Sequence, residues 1–401
     1  MGDKIKSISI EGFKSIRKMD LELRNLNVLI GANGAGKSNF VDFFHLLHEM
    51  VEQRLQLAVG VGGGADIFLH FGPKVTKAIE LKARFGQNAY EFVLTPTVDN
   101  RLIFASENTV YYPSSNDRVA KSHGAGHTEA KLKEIREDPP TLRQARYGPP
   151  HYIYKAVSNW VVYHFHDTSL SAYVRGQKAI NDNEFLRQDA ENLAAFLFKL
   201  RQTKPMAYQK IRDVVRLAAP FFDDFKLRPV TANPELIQLE WAQVGSDYPF
   251  RPSQLSDGTL RFICLATALL QPNPPATMLF DEPELGLHPY ALALLASLFK
   301  QAATSGGQVI VCTQSAALLN EFEPEDVIVV DREDGQSTFR RLDKANLSEW
   351  LENYSLGELW QKNIFGGRPH GDSGNGPPES EIPDAPPSEM PDTPPPEGDI
   401  P

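Results

Sequence analysis

Cysteine is nearly absent from this chain. Its two cysteines among 401 residues, Cys264 and Cys312, each sit in an apolar run. A disulfide framework is therefore excluded, and core packing accounts for both. No apolar run reaches the length of a membrane span. The opening MGDKIKSISIEG lacks the apolar core and cleavage site of a secretory signal. Lys6 stands where a myristoylation signal after Gly2 needs a small hydroxyl residue. These absences lead to the expectation of a cytoplasmic protein with no membrane partner. Sustained heptads and internal repeats are also missing, which excludes long coiled-coil arms and solenoids.

A strongly basic balance is missing too. The net charge is −10, but residues 367–401 carry eight acidic residues and one arginine, so the rest of the chain is close to neutral. This balance neither supports a nucleic-acid groove nor excludes a local one. The same 35 residues hold 11 of the 30 prolines and almost no large apolar side chains. They cannot bury enough surface to offset ordering entropy, so a disordered tail is predicted over 367–401.

What is present is the patterning of a large α/β body. Alternation predicts strands over 5–10 and 19–23, joined by a turn at 13–15, and a buried strand over 28–30. A helix is predicted over 38–56, with Phe40, Phe43, Phe44 and Leu47 on one stripe, and a flexible loop over 60–66. Antiparallel strands are predicted over 78–85, 90–94 and 101–105. Residues 111–150 read as loop with one short helix near 129–137. A strand follows over 160–165, a long helical pattern over 184–222 broken near 203–205, and a strand over 236–241. A helix over 257–270 precedes short apolar runs at 277–280, 309–312 and 327–330, which read as buried parallel strands. Asp334-Gly335 reads as a hairpin turn.

Residues 31–39 read GANGAGKSN and fit G-x-x-x-x-G-K-[ST] between a strand and a helix. Gly31, Asn33, Gly34, Ala35 and Gly36 let backbone N–H groups converge on phosphate oxygens, and the helix N-terminus adds its positive end. Lys37 is placed to reach the β- and γ-phosphates of ATP, Ser38 to coordinate Mg2+, and Asn39 completes the cradle. A buried strand ending in Asp281-Glu282 supplies the acidic half. Asp281 is expected at the carboxyl end of its strand, holding Mg2+, and Glu282 is expected to deprotonate the attacking water. The two halves lie 244 residues apart, so a large insertion separates them.

Leu255-Ser256-Asp257-Gly258-Thr259 opens an apolar helix just upstream of that strand. Locally it suits an ordinary N-cap. It also suits a second anion-binding helix end, with Ser256, Asp257 and Gly258 capping an ATP held by another copy of the chain. Its place before Asp281 favours the second reading.

In these motifs the chain resembles the ABC-type ATPase heads of the RecF and SMC class. Within that class it is most similar to stand-alone bacterial ATPases related to OLD-type proteins. By this resemblance GANGAGKSN is Walker A, LSDGT the signature motif and MLFDEPELGLHP Walker B running into the D-loop. KSISIEGFKSI resembles the first strand of such heads, which implies that Lys14 and Ser15 lie near the nucleotide. The segments at 186–201 and 355–369 also resemble the stand-alone group. The resemblance implies a homodimer that closes around two ATPs, with residues 284–289 lining the interface. It also implies a fold: a P-loop NTPase of ABC-ATPase type, with a mixed central sheet, an antiparallel β subdomain and an inserted helical lobe. The corresponding division is an ATPase domain over 1–366, with its ATP-binding lobe at 1–110 and 236–366 and the insertion at 111–235.

Two departures stand out. Gln314 occupies the place where such heads often carry a histidine; it can hydrogen-bond but cannot take a proton, which leaves Glu282 as the base. No Q-loop glutamine is evident. Its place reads His164-Phe165-His166-Asp167, whose alternation suits either a metal pair or hydrogen-bonded residues at a strand edge. His123 and His127 lie in a Gly-rich loop, where four-residue spacing is not ligand geometry. OLD-type proteins carry a Toprim nuclease after the ATPase; here about 35 ordered residues are expected after Asp331, so no such nuclease is expected in cis.

The expected function is an ATP-hydrolysing switch acting in DNA repair or in defence against foreign DNA, with DNA and a separately encoded effector protein as candidate partners. The alternative is an ATP-gated scaffold for such an effector without DNA contact. An ABC-transporter ATPase subunit fits the N-terminal strands and the long span between motifs less well.

Overall fold

The computed structural model describes residues 4–114, 117–136 and 148–368; the predicted tail lies outside them from residue 369 onward. The chain opens with β1 (Ile5–Phe13), β2 (Ile16–Glu22) and β3 (Leu26–Ile30), followed by α1 (Lys37–Val51), α2 (Leu55–Val61) and α3 (Ala65–Phe68). Next come β4 (Ile79–Phe85), β5 (Asn88–Pro96), β6 (Leu102–Tyr111), β7 (Val119–Ser122), α4 (Leu132–Ile135), α5 (Pro149–Ser158) and β8 (Trp160–Tyr163). The middle of the chain forms β9 (Lys178–Ala179), α6 (Leu193–Thr203), α7 (Pro205–Ala218), β10 (Phe222–Phe225), β11 (Pro229–Val230), β12 (Asn233–Ile237) and β13 (Trp241–Gln243). The last part comprises α8 (Asp257–Leu270), β14 (Thr277–Asp281), α9 (Pro289–Thr304), β15 (Gln308–Thr313), α10 (Ala316–Leu319), β16 (Val327–Glu333), β17 (Gln336–Arg341), α11 (Ser348–Leu351) and α12 (Leu356–Gln361).

Two six-stranded sheets organise the molecule. One is antiparallel throughout, in the order β2-β1-β4-β5-β6-β7. The other is mixed, in the order β17-β16-β3-β15-β14-β8, with only the edge strand β17 antiparallel. Alternation along the mixed sheet feeds two hydrophobic cores. Leu29, Leu279, Ile310 and Val330 face the antiparallel sheet and α1. Val28, Ile30, Phe280, Val311 and Val329 face the helical layer of α6 to α9. Burial on both faces is why these strands read as continuous apolar runs. The stretch 111–235 is woven through this body: β8 is an edge strand of the mixed sheet, α5 packs in the first core and α6 and α7 in the second.

Several local expectations change. The helix expected over 38–56 breaks after Val51, where Gln53 has φ 62°, and restarts at Leu55. The loop expected over 60–66 instead ends α2 and starts α3, with Gly63 and Gly64 turning between them at φ 97° and 101°. The helical pattern from 184 begins only at Leu193. The buried Asn192 side chain accepts from the Arg187 N–H and donates to the carbonyls of Asp182 and Phe185, which holds the preceding segment in a turn. The break before Pro205 and the bounds of α8 are as predicted. Helix α5 lies almost wholly in 151–159, a stretch for which no element is predicted, and the strand expected over 236–241 is two strands in separate small sheets.

Candidate active site

The phosphate cradle follows β3, a central strand of the mixed sheet. Asn33, Gly34 and Ser38 are open to solvent, while Gly31, Ala35, Gly36 and Lys37 are buried. Gly36 has φ 120°, and a Cβ there would lie 1.9 Å from Ser337 Oγ. Both facts demand glycine. Lys37 is the first residue of α1 and is 5% exposed. Its ammonium donates to the carbonyls of Gly31 (2.6 Å) and Ala32 (3.0 Å), so the loop's own backbone holds it where phosphate oxygens would compete. Burial pushes its pKa down, and the carboxylates of Glu282, Asp281 and Glu284 oppose that shift.

The hairpin β16–β17 braces the cradle from outside. Its two-residue turn places Asp334 and Gly335 at φ 48° and 76°, as a type I′ turn requires. Ser337 Oγ donates to the Ala35 carbonyl at 2.6 Å, and Arg332 donates to the Gly34 carbonyl at 3.0 Å. Ser15 Oγ meets Ser337 Oγ at 2.6 Å and accepts from the Asn39 amide at 2.6 Å. Ser15 and Asn39 thus act on the loop through this chain of bonds. Lys14, at φ 47°, turns its ammonium onto Asp42 of α1 at 2.5 Å.

Asp281 ends β14, between β15 and β8. Burial raises the pKa of its carboxyl, against the pull of His166. Glu282 adopts φ 41° and donates its N–H to the Cys312 carbonyl at 2.8 Å. Its carboxylate accepts from the Gln314 amide at 2.9 Å. Glu284 is buried, accepting from Thr313 Oγ1 (2.6 Å) and the Gln314 N–H (3.1 Å), and burial raises its pKa. It therefore faces inward, a correction to the expectation that residues 284–289 all line a surface; Gly286, His288 and Pro289 are the exposed members.

Ser256 is the N-cap of α8, accepting from the Thr259 N–H at 3.1 Å, and both Ser256 and Asp257 are exposed. A Cβ on Gly258 would lie 2.1 Å from the Gly286 carbonyl oxygen, so α8 packs directly on the loop after Asp281. Two arginines that sequence reasoning missed organise this end. Arg175 donates to the Thr168, Pro252 and Leu255 carbonyls and to Asp257 at 2.7 Å. Arg261 donates to the carbonyls of Phe165 (2.8 Å), His166 (2.9 Å) and Leu285. It is the one charged side chain in the apolar run of α8 after Asp257, a signal that was available. Nothing in the sequence around Arg175 announces it.

His164 and His166 follow β8 and flank this site. His164 Nε2 lies 2.7 Å from His45 Nε2 of α1, and His166 Nε2 lies 4.0 Å from Asp281. Burial and the two neighbouring imidazoles push the His164 pKa down to about 4. His123 and His127 instead contact Thr109 and Glu107 at 2.9 and 2.8 Å.

Residues 26–320 match the protein-family model described as "AAA domain, putative AbiEii toxin, Type IV TA system". The chain belongs to this AAA-domain family. The match runs from β3 through residues 31–39, α8 and Asp281 to α10. Among curated relatives, the family member is 37% identical over 75 residues to the Nod factor export ATP-binding protein I of Rhizobium etli, covering 19% of this chain and 23% of that protein. It is 25% identical over 158 residues to a putative ABC transporter ATP-binding protein of Methanosarcina acetivorans, covering 37% of this chain and 52% of that one. The chain thus spans from about a quarter to about half the length of these relatives. Among solved structures, an SMC head bound to the C-terminal winged-helix domain of ScpA superposes with a TM-score of 0.50 at 17% identity, over 85% of this chain and 98% of that one. The AAA-domain protein therefore has the fold of an SMC-type P-loop ATPase head. Among its described residues, no helix is long and apolar enough to cross a membrane.

Proposed function

We propose that this protein is an ATP-hydrolysing switch whose two copies close head to head around two ATPs, acting in DNA repair or in defence against foreign DNA. The observation that carries the hydrolytic part is the pairing of Glu282 with Gln314 at the end of β14, beside the buried Lys37. A left-handed backbone at Glu282 turns its carboxylate out of the strand's alternation, and the Gln314 amide fixes one oxygen, leaving the other for water. Lys37 exchanges the carbonyls of Gly31 and Ala32 for phosphate oxygens when ATP enters. The Ser38 hydroxyl and the Asp281 carboxylate are hard oxygen donors of the kind Mg2+ takes, and they are the residues that would hold it. Mg2+ bound there would neutralise charge on the β- and γ-phosphates.

The dimer reading rests on the outward exposure of Ser256 and Asp257 at the start of α8. Arg175 neutralises Asp257, which would otherwise repel a partner's nucleotide. The mass of Glu282→Gln protein, measured with and without ATP, tests this: it doubles with ATP on this reading and stays unchanged if the reading is wrong. Ser256→Arg should retain ATP binding and lose the ATP-dependent dimer.

A scaffold role, with a separately encoded effector and no DNA contact, is favoured by the near-neutral body and by the protein partner in the similar SMC-head structure. Turnover measured with and without DNA at low salt separates the two, since phosphate contacts are strongest there. Stimulation selects the DNA reading, and indifference selects the scaffold.

A further inference from the structure

The mechanism above leaves three histidines unused, and they stand together. Strands β8 and β14 are parallel neighbours in register, with Tyr163 opposite Phe280. The next residues along each strand, His164 and Asp281, therefore emerge side by side at the carboxyl edge of the sheet. His166 follows two residues later, and Arg261 pins its backbone by donating to the Phe165 and His166 carbonyls. One ring nitrogen of His164, one of His166 and one carboxylate oxygen of Asp281 all lie within 4.8 Å of one another. Around a four-coordinate cation with bonds of about 2.0–2.1 Å, ligand atoms sit about 3.3 Å apart. Side-chain adjustments of about an ångström therefore close the set. His166 is exposed and the other two are half-buried, so a cation reaches them from solvent. His45 lies against the His164 ring, Nε2 to Nε2 at 2.7 Å with the rings 9° from coplanar, the kind of outer-shell support that a ligating imidazole uses when its other nitrogen binds the cation.

We propose that His164, His166 and Asp281 form a binding site for one zinc-class divalent cation, occupied without nucleotide, with His45 as a positioning residue. Two imidazoles and a carboxylate suit zinc and cobalt, whereas magnesium prefers an all-oxygen shell. None of the three ligands comes from the phosphate cradle, so binding does not depend on ATP. The consequence does rest on the ATPase reading. Asp281 is shared, so a cation held by the histidines withdraws it from the magnesium that accompanies ATP, and turnover falls.

The test is a titration of chelator-stripped, untagged full-length protein with Co2+ in the absence of nucleotide. It is followed by the visible absorption of imidazole-bound cobalt and repeated with Zn2+ by calorimetry. One saturable equivalent is expected, with Zn2+ abolishing the cobalt band. His166→Ala, at an exposed position, should keep the fold and lose the band. His45→Ala should weaken binding about 10–100-fold. An absent band, or one that survives in both His166→Ala and His164→Ala, overturns the site. ATP hydrolysis with Mg2+, measured on the chelator-stripped protein before any Co2+ is added, separates the failures. Hydrolysis without cobalt binding refutes the metal site alone, and cobalt binding without hydrolysis refutes the ATPase reading while leaving the site.

Discussion

Arg175→Met offers the sharpest test of what holds the segment before α8 in place. The Arg175 side chain is 4% exposed, whereas its partner Asp257 is 63% exposed. Its other acceptors are the carbonyls of Thr168, Pro252 and Leu255. Methionine matches the length but leaves the Thr168 and Leu255 carbonyls without a donor, while the Pro252 carbonyl keeps the Leu255 N–H. At about 1–3 kcal/mol for each of these two buried unsatisfied groups, partly offset by apolar packing of the thioether, the loss should be about 2–4 kcal/mol. Asp257→Asn removes only the exposed ion pair, expected to contribute about 0–1 kcal/mol. Urea unfolding of the nucleotide-free variants, followed by tryptophan fluorescence, measures both. The reasoning fails if Asp257→Asn is as destabilising as Arg175→Met, because the ion pair and not the backbone would then be the anchor. It also fails if Arg175→Met lies within about 1 kcal/mol of wild type.

Three further outcomes are expected. Gly36→Ala meets Ser337 Oγ at 1.9 Å on a backbone at φ 120°. It should weaken binding of a fluorescent ATP analogue by more than about tenfold, given about 1–3 kcal/mol for such backbone strain, while far-ultraviolet circular dichroism is unchanged. Gln314→Ala removes the amide from the Glu282 carboxylate and should lower kcat roughly 10–100-fold with little change in KM, the worth of one hydrogen bond to a charged group. Finally, the folded-state pKa of His164, about 4, lies below its ordinary 6.5. Between those values the unfolded chain binds the extra proton, so stability falls as pH drops from 6.5 toward 4. In chelator-treated buffer, His164→Gln should flatten the pH dependence of Tm across that window.

The parts of the site that are local in the chain were legible in advance. GANGAGKSN announces its strand, loop and helix within a few residues, and the burial of β14 and β15 on both faces leaves uninterrupted apolar runs. The bounds of α8 followed from Ser256 as a cap before a continuous apolar run. Other features depend on partners far away in sequence. Arg175 reaches Asp257 across 82 residues, and Ser337 reaches Ala35 across 302; neither distance leaves a local trace. The late start of α6 is a tertiary override: the helical pattern from 184 is real, but Asn192 is satisfied only by the turn that precedes it. His45 was invisible as a site residue because on α1 it reads as one more polar position.

The brace between Ser337 and Ala35 also bears on how the protein is made. Strand β3 leaves the ribosome early, yet its neighbours β15 and β16, and the hairpin that braces the loop, come about 300 residues later. At about 5–20 residues per second that interval is roughly 15–60 s. Throughout it the nascent chain carries Lys37 and the glycine loop without the mixed sheet that holds them. The cradle is thus written about 300 residues before the strands and hairpin that complete it, so a product truncated between them carries the motif without the means to use it.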